Sequence, residues 1–148
     1  MIKFKRLFQE TPYVILKKKY DEAEAAGQKN IEAIAISSFS KENNEVDSRF
    51  VNLKFVDDKK LIFFSNYNSP KSSAFSSHNQ ISALLYWSSI NFQIRMKAKI
   101  NKTPKDFNNE YFKKRSIEKN ALAISSDQSV TIKSYEDVKK NYLNSFNN

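Results

Sequence analysis

From Phe92 to Ile100 the chain alternates without a slip. Phe92, Ile94, Met96, Ala98 and Ile100 fall on one side, and Gln93, Arg95, Lys97 and Lys99 on the other. A period of two is that of an antiparallel strand with one face buried and one wet. Residues 81–87 form an apolar strand just before it, joined by a turn over residues 88–91. Residues 49–55 and 61–66 read as the arms of a hairpin whose turn, 56–60, carries Asp57-Asp58. Residues 31–38 are a further short β-like run, followed by a polar loop over 41–47.

Helices punctuate these strands. Thr11-Pro12, Ser69-Pro70 and Thr103-Pro104 each read as an N-cap followed by proline at the first helical position. They open a helix over 12–26 that stops at Gly27, a short helix over 70–78, and a helix carrying Phe107, Tyr111 and Phe112. After an irregular segment, residues 133–146 close the chain as a helix. Ser134 is its cap, and Tyr135, Val138, Tyr142 and Leu143 form its apolar stripe. Neither a repeat nor a linker interrupts this order, so the expectation is one domain over residues 1–148. Hairpin-connected strands with few intervening helices favour an antiparallel barrel with flanking helices over a doubly wound sheet.

Composition narrows the chemistry. Of the 148 residues, 40% are hydrophobic, enough for a packed core. The single glycine excludes a Gly-rich phosphate loop. With no cysteine and one histidine, thiolate chemistry, disulfides and a histidine-based metal site drop out. No metal and no catalytic acid or base is assigned. The net charge of +9 favours phosphate-bearing partners. No apolar run reaches membrane-spanning length, and the first residues lack the apolar stretch of a secretory signal, so the expectation is a cytoplasmic protein without a membrane partner.

The hairpin poses the sharpest question. Arg49 and Lys54 stand in a strand-like run, and the second arm leads into Ser65-Asn66 and Ser69-Pro70-Lys71. An arginine fork, a lysine and a helix N-terminus suit an anion. The bland reading is a solvated strand face and a surface lysine. Gln93 and Arg95 are explained equally well by solvent exposure, and Tyr111 at helical spacing from Phe107 by the core.

Seven segments then line up in order: RFVNLK from Arg49, FFSN from Phe63, SPK from Ser69, LLYW from Leu84, FQIRMKAKI from Phe92, YFKKR from Tyr111 and DQS from Asp127. Together they resemble the pyridoxamine 5'-phosphate oxidase family, whose fold is the FMN-binding split β-barrel. The resemblance covers about residues 31–146 and, more loosely, the first helix. It implies FMN as cofactor, with Arg49 and Lys71 on the phosphate, Ser65 adding a hydroxyl and Phe64 its backbone. The backbone of Phe50, Val51, Asn52 and Leu53 would run along the flavin edge, with Lys54 near ring and substrate. Gln93 would reach the cofactor of a partner subunit in a homodimer, and Gln128 and Ser129 would contact it too. Lys54, Tyr111, Arg115 and Lys119 would hold a phosphorylated substrate, Lys119 standing where the family usually has serine.

Two departures stand out. Pro70 replaces the family's usual arginine. The Trp-Gly-Gly segment and Arg-x-His motif that complete the oxidase pockets do not occur in these 148 residues, so the resemblance is to a short member. Two functions follow. One is an FMN-dependent oxidoreductase of the pyridoxamine phosphate oxidase type. The other is a non-catalytic module, either a flavin binder or degenerate member or, less favoured, a basic RNA-binding β-barrel. No RNA-binding motif supports that last form, so no nucleic acid is expected.

Overall fold

A computed structural model describes residues 1–125, 131–132 and 134–147. The chain divides into two compact units, Met1–Ser65 with Ala74–Ile100, and Asn66–Ser73 with Asn101–Asn148.

The first unit holds helix α1 (Thr11–Ala25) and six strands: β1 (Lys3–Leu7), β2 (Ala33–Ser40), β3 (Glu45–Asp58), β4 (Lys60–Phe63), β5 (Gln80–Trp87) and β6 (Phe92–Lys99). β3 is the spine. Its residues 45–52 pair antiparallel with β2, and its far half pairs antiparallel with β4 and parallel with β1. β2, β5 and β6 continue the sheet antiparallel, and it does not return from β6 to β1 or β4 among the described residues. This open, mainly antiparallel sheet is that of a split barrel.

Register fixes two faces. Arg49, Ile36, Ala83 and Met96 lie in one cross-strand row, facing the core, and Phe50, Ala35, Leu84 and Arg95 in the next, facing outward. The core gathers Leu16, Tyr20, Ile34, Ile36, Leu53, Val56, Leu85 and Trp87. Trp87 is 1% exposed, and its indole N–H donates to the Ile31 carbonyl at 3.0 Å. That bond lets a large amphipathic ring sit at the centre without an orphaned donor.

Several expectations change in detail. Thr11 is the first residue of α1 and not its cap. Glu10 holds the cap position without a side-chain bond, and Pro12 still sits in the first turn. Gly27 does end the helix: at φ 70° it lets its own N–H reach Glu24 O and that of Gln28 reach Ala23 O. β3 is far longer than 49–55: residues 45–48, all exposed, continue it at one end and residues 56–58 at the other. β1 has no clear sequence signal, because three of its five residues are cationic.

The second unit contains α3 (Lys105–Lys113), α4 (Ile117–Ser125), α5 (Tyr135–Asn147) and the segment Asn66–Ser73. That segment includes the first residues of α2 (Pro70–Ser77), whose remainder belongs to the first unit. The stretch expected to be irregular is largely α4, which packs along α5. Thr103 does not cap α3. Its hydroxyl bonds the Asn108 side chain, and Pro104 takes the cap position. Ser134 is a true cap: its hydroxyl accepts from Asp137 N at 3.1 Å and donates to the Asp137 carboxylate at 2.9 Å. No helix among the described residues is long and apolar enough to cross a membrane.

Candidate functional site

In the first unit the candidate residues collect along β3 and just past β4. Arg49 projects to the buried face, its side chain 22% exposed, because strand alternation puts it in phase with Val51 and Leu53. Its guanidinium is ion-paired with Asp47, two residues back on the same face. The pairing register shifts between Leu53 and Phe55. This bulge turns Lys54 out of the alternation. Lys54 Nζ then lies 3.5 Å from Glu32 Oε1, which is also 3.5 Å from the N-terminal ammonium. Partial burial pushes the Glu32 carboxyl up. Its own backbone N–H, the N-terminal charge and Lys54 more than offset this, and the net direction is below the ordinary carboxylate range.

Ser65 follows β4. Its hydroxyl is buried and has no hydrogen-bond partner among the described residues. Such an orphan costs about 1–3 kcal/mol relative to a satisfied group. Phe64, beside it, is half-buried, its ring edge-on to Phe55 at 6.3 Å. Residues 45–52 of β3 pair with β2 along one edge only, so the backbone of Phe50, Val51 and Asn52 borders an edge that no strand covers among the described residues. Leu53 differs: its N–H is spent on Glu32 O at 2.8 Å. Phe50 faces outward at 76% exposure, and Gln93 is exposed in register with Tyr86. Arg49, the Ser65 hydroxyl and the backbone of Phe50 to Asn52 are thus three kinds of donor within one unit, of the types an anionic ligand takes.

In the second unit, Lys71 is buried as the second residue of α2, between buried Ser69 and Ser72. The Ser69 hydroxyl donates to Asn66 O at 2.7 Å. Tyr111, Arg115 and Lys119 come together, though not on one helix. Tyr111 closes α3, Arg115 lies in the break at 114–116, and Lys119 is in the first turn of α4. Arg115 Nη2 donates to Lys119 O at 3.1 Å, and the guanidinium carbon is 5.9 Å from the Tyr111 ring centre and 5.0 Å from that of Phe112. The Lys119 side chain is exposed and lines a cleft of about 390 Å³ between α4 and α5. Asn120 Nδ2 donates to Phe112 O at 2.9 Å, while its Oδ1 is buried without a partner. Gln128 and Ser129 lie outside the described residues.

Asp47 and Glu32, the carboxylates that hold Arg49 and Lys54, escape the sequence reading. The i, i+2 spacing of Asp47 and Arg49 on a strand is the signal that would have found the first. The second needs the β2–β3 register and has no local signal.

No protein-family profile matches the chain. It is 33% identical over 138 residues to a chloroplastic pyridoxine/pyridoxamine 5'-phosphate oxidase of Arabidopsis thaliana, a match spanning 88% of this chain and 26% of that one. It is 34% identical over 93 residues to the pyridoxine/pyridoxamine 5'-phosphate oxidase of Burkholderia ambifaria, spanning 63% of this chain and 44% of that one. The chain thus spans about a quarter to under half the length of these relatives. Among solved structures, PhzG from Burkholderia lata in complex with tetrahydrophenazine-1-carboxylic acid superposes with a TM-score of 0.85 at 22% identity, covering 92% of this chain and 67% of that one. A pyridoxamine 5'-phosphate oxidase-related, FMN-binding protein from Nostoc punctiforme superposes with a TM-score of 0.68 at 10% identity, covering 89% and 73%.

Proposed function

The chain is a relative of the pyridoxine/pyridoxamine 5'-phosphate oxidases with the FMN-binding split-barrel fold, and from that premise we propose that it binds FMN and serves an oxidoreductase reaction on a phosphorylated small molecule. The observation that carries the reading is the buried Ser65 hydroxyl, without a partner among the described residues, just past the β4 arm that follows the Arg49 strand. A phosphate oxygen is an acceptor that would satisfy it, and Arg49 supplies the charge-assisted donors.

Each residue has a task in this reading. Arg49 binds the phosphate through two parallel N–H donors, and Ser65 donates to a third oxygen. Lys71 takes the role of second phosphate cation that the resemblance gives it, with Phe64 beside Ser65 and with Gln128 and Ser129 as further contacts. The edge of β3 from Phe50 to Asn52 orients the planar ring through backbone groups. FMN, when bound, supplies the hydride-accepting chemistry, so no side chain has to be a strong acid or base. Arg115, beside the Tyr111 and Phe112 rings, binds the substrate's anionic group with Tyr111 and Lys119, and Lys54 orients the substrate. Gln93 serves the cofactor of a second copy in a homodimer.

The test is the visible spectrum of the purified protein, with the released cofactor identified by chromatography. A yellow protein carrying close to one FMN per chain is expected. A colourless protein that takes up no added FMN overturns the proposal. Turnover of pyridoxamine 5'-phosphate by the yellow protein separates an oxidase from a flavin binder without activity.

A further inference from the structure

We infer that Asp47 is a built-in competitor for the phosphate at Arg49, and so sets how tightly the site holds a phosphorylated flavin. This rests on the reading of Arg49 as a phosphate ligand and adds to it a residue that tunes that ligand.

Asp47 and Arg49 are two residues apart on β3 and therefore project to the same face. Across the β2–β3 ladder they stand opposite Ser38 and Ile36, which are 4% and 3% exposed. The pair thus lies where the sheet passes from its buried interior to its wet end. The two partners differ in exposure: the Arg49 side chain is 22% exposed and that of Asp47 is 64%. Arg49 is held in place by its surroundings, whereas Asp47 can turn into water with little loss of packing.

A guanidinium presents its five donors along two bidentate edges, and both edges use Nη2, the nitrogen that Asp47 Oδ2 occupies. With Asp47 on that nitrogen, an incoming phosphate must displace the carboxylate or share the arginine with it. Sharing places a second anion within a few ångströms of a phosphate that carries nearly two negative charges, and the two repel. Displacement is the cheaper course, and its cost is the ion pair itself. Glu45, exposed and two residues further out on the same face, adds a second negative charge but lies beyond the pair. The exchange is selective, because a ligand without a phosphate gains nothing from Arg49 and is indifferent to Asp47.

A purely structural role for Asp47 predicts the opposite sign. If the carboxylate served to aim Arg49 at the ligand, removing it would weaken binding.

The experiment is a fluorescence titration of the full chain, freed of flavin, with FMN and with riboflavin, for the wild type, Asp47→Asn, Asp47→Glu and Arg49→Ala. Thermal unfolding checks that each variant is folded. Asp47→Asn is expected to bind FMN roughly five-fold more tightly, the factor equivalent to an ion pair worth about 1 kcal/mol. Its riboflavin affinity should not change, and Asp47→Glu should stay close to the wild type. If Arg49→Ala weakens FMN while Asp47→Asn leaves it unchanged or weaker, the competitor role is overturned and the FMN reading stands. If neither the folded wild type nor Asp47→Asn binds FMN, the phosphate reading of Arg49 fails and the inference fails with it.

Discussion

Arg49 and Arg115 are both partly buried arginines assigned to anions, and the protein holds them in different ways. In the first unit, cations are matched by carboxylates: Arg49 with Asp47, Lys54 with Glu32, Arg6 with Asp57. In the second, Arg115 makes no ion pair among the described residues and is held by a carbonyl and two aromatic faces. The packing differs in parallel. The open sheet of the first unit packs on a continuous core, whereas α4 and α5 leave Leu122, Ile124 and Tyr135 at 58%, 72% and 77% exposure. A carboxylate-matched cation can hold its shape without ligand but must exchange partners to bind one. A cation on rings and a carbonyl keeps its charge available.

The contrast in packing gives the largest expected effect. Trp87→Ala removes a fully buried ring with its hydrogen bond and should cost about 3–5 kcal/mol in urea unfolding followed by circular dichroism. Leu122→Ala, on the exposed face of α4, should change stability by no more than about 0.5 kcal/mol. Equal losses at the two positions would mean that Leu122 is covered in solution and would erase the difference between the units.

The contrast in charge comes next. Arg49→Ala should weaken FMN by about ten- to a hundred-fold, the loss of a charged hydrogen-bonding partner worth about 1.5–3 kcal/mol. Arg115→Ala should leave FMN content unchanged and raise KM for a phosphorylated substrate by about ten-fold, the same term measured on a different ligand. A drop in FMN content in the Arg115 variant would contradict the division of labour.

Ser65→Ala sharpens the same point through opposite signs. Removing an unsatisfied buried hydroxyl should leave the flavin-free protein equally or more stable, by up to about 1 kcal/mol, while FMN binding weakens by about 1 kcal/mol. Calorimetry with and without FMN reads both. A loss of stability without flavin would show that the hydroxyl has a partner in solution, and would remove the observation on which the functional reading leans.

How far the sequence showed this depends on the range of the signal. β6 was legible because its alternation is complete, and the end of α1 because only glycine easily adopts the left-handed turn there. The Thr-Pro pairs misled: proline does favour a first turn, but Thr11 and Thr103 lie one position away from capping geometry. β1 and α4 stayed hidden, the first because a five-residue cationic strand owes its existence to a distant partner, the second because its charged and amide residues cluster at 118–120 and mark no wet face along the helix. For the site, the ordered segments pointed to Arg49, Tyr111 and Arg115. The same segments named Ser65 but not that burial leaves its hydroxyl unpaired, and nothing pointed to Glu32 under Lys54, which depends on register between strands.

The smallest effect separates the two units by how each holds a carboxyl below its usual range. Asp57 is lowered first by the hydrogen bond from Arg6 and further by the charges of Arg6, Lys5 and Lys60, against a cost of desolvation. Glu118, at the start of α4, is lowered first by its own backbone N–H and then by the Ser116 hydroxyl. In both cases the unfolded chain takes up the proton more readily than the folded one. The stabilisation is therefore complete above the ordinary carboxylate range and is lost as pH falls through the lowered folded value. Salt should tell them apart. Mobile ions screen an exposed guanidinium–carboxylate pair, but a hydrogen bond from the helix's own first turn much less. In an NMR titration of the carboxyl carbons at low and high salt, Asp57 should move back toward its ordinary value while Glu118 stays depressed. If both move equally, charge rather than capping holds Glu118, and the helical unit is matched by long-range fields just as the sheet is matched by ion pairs.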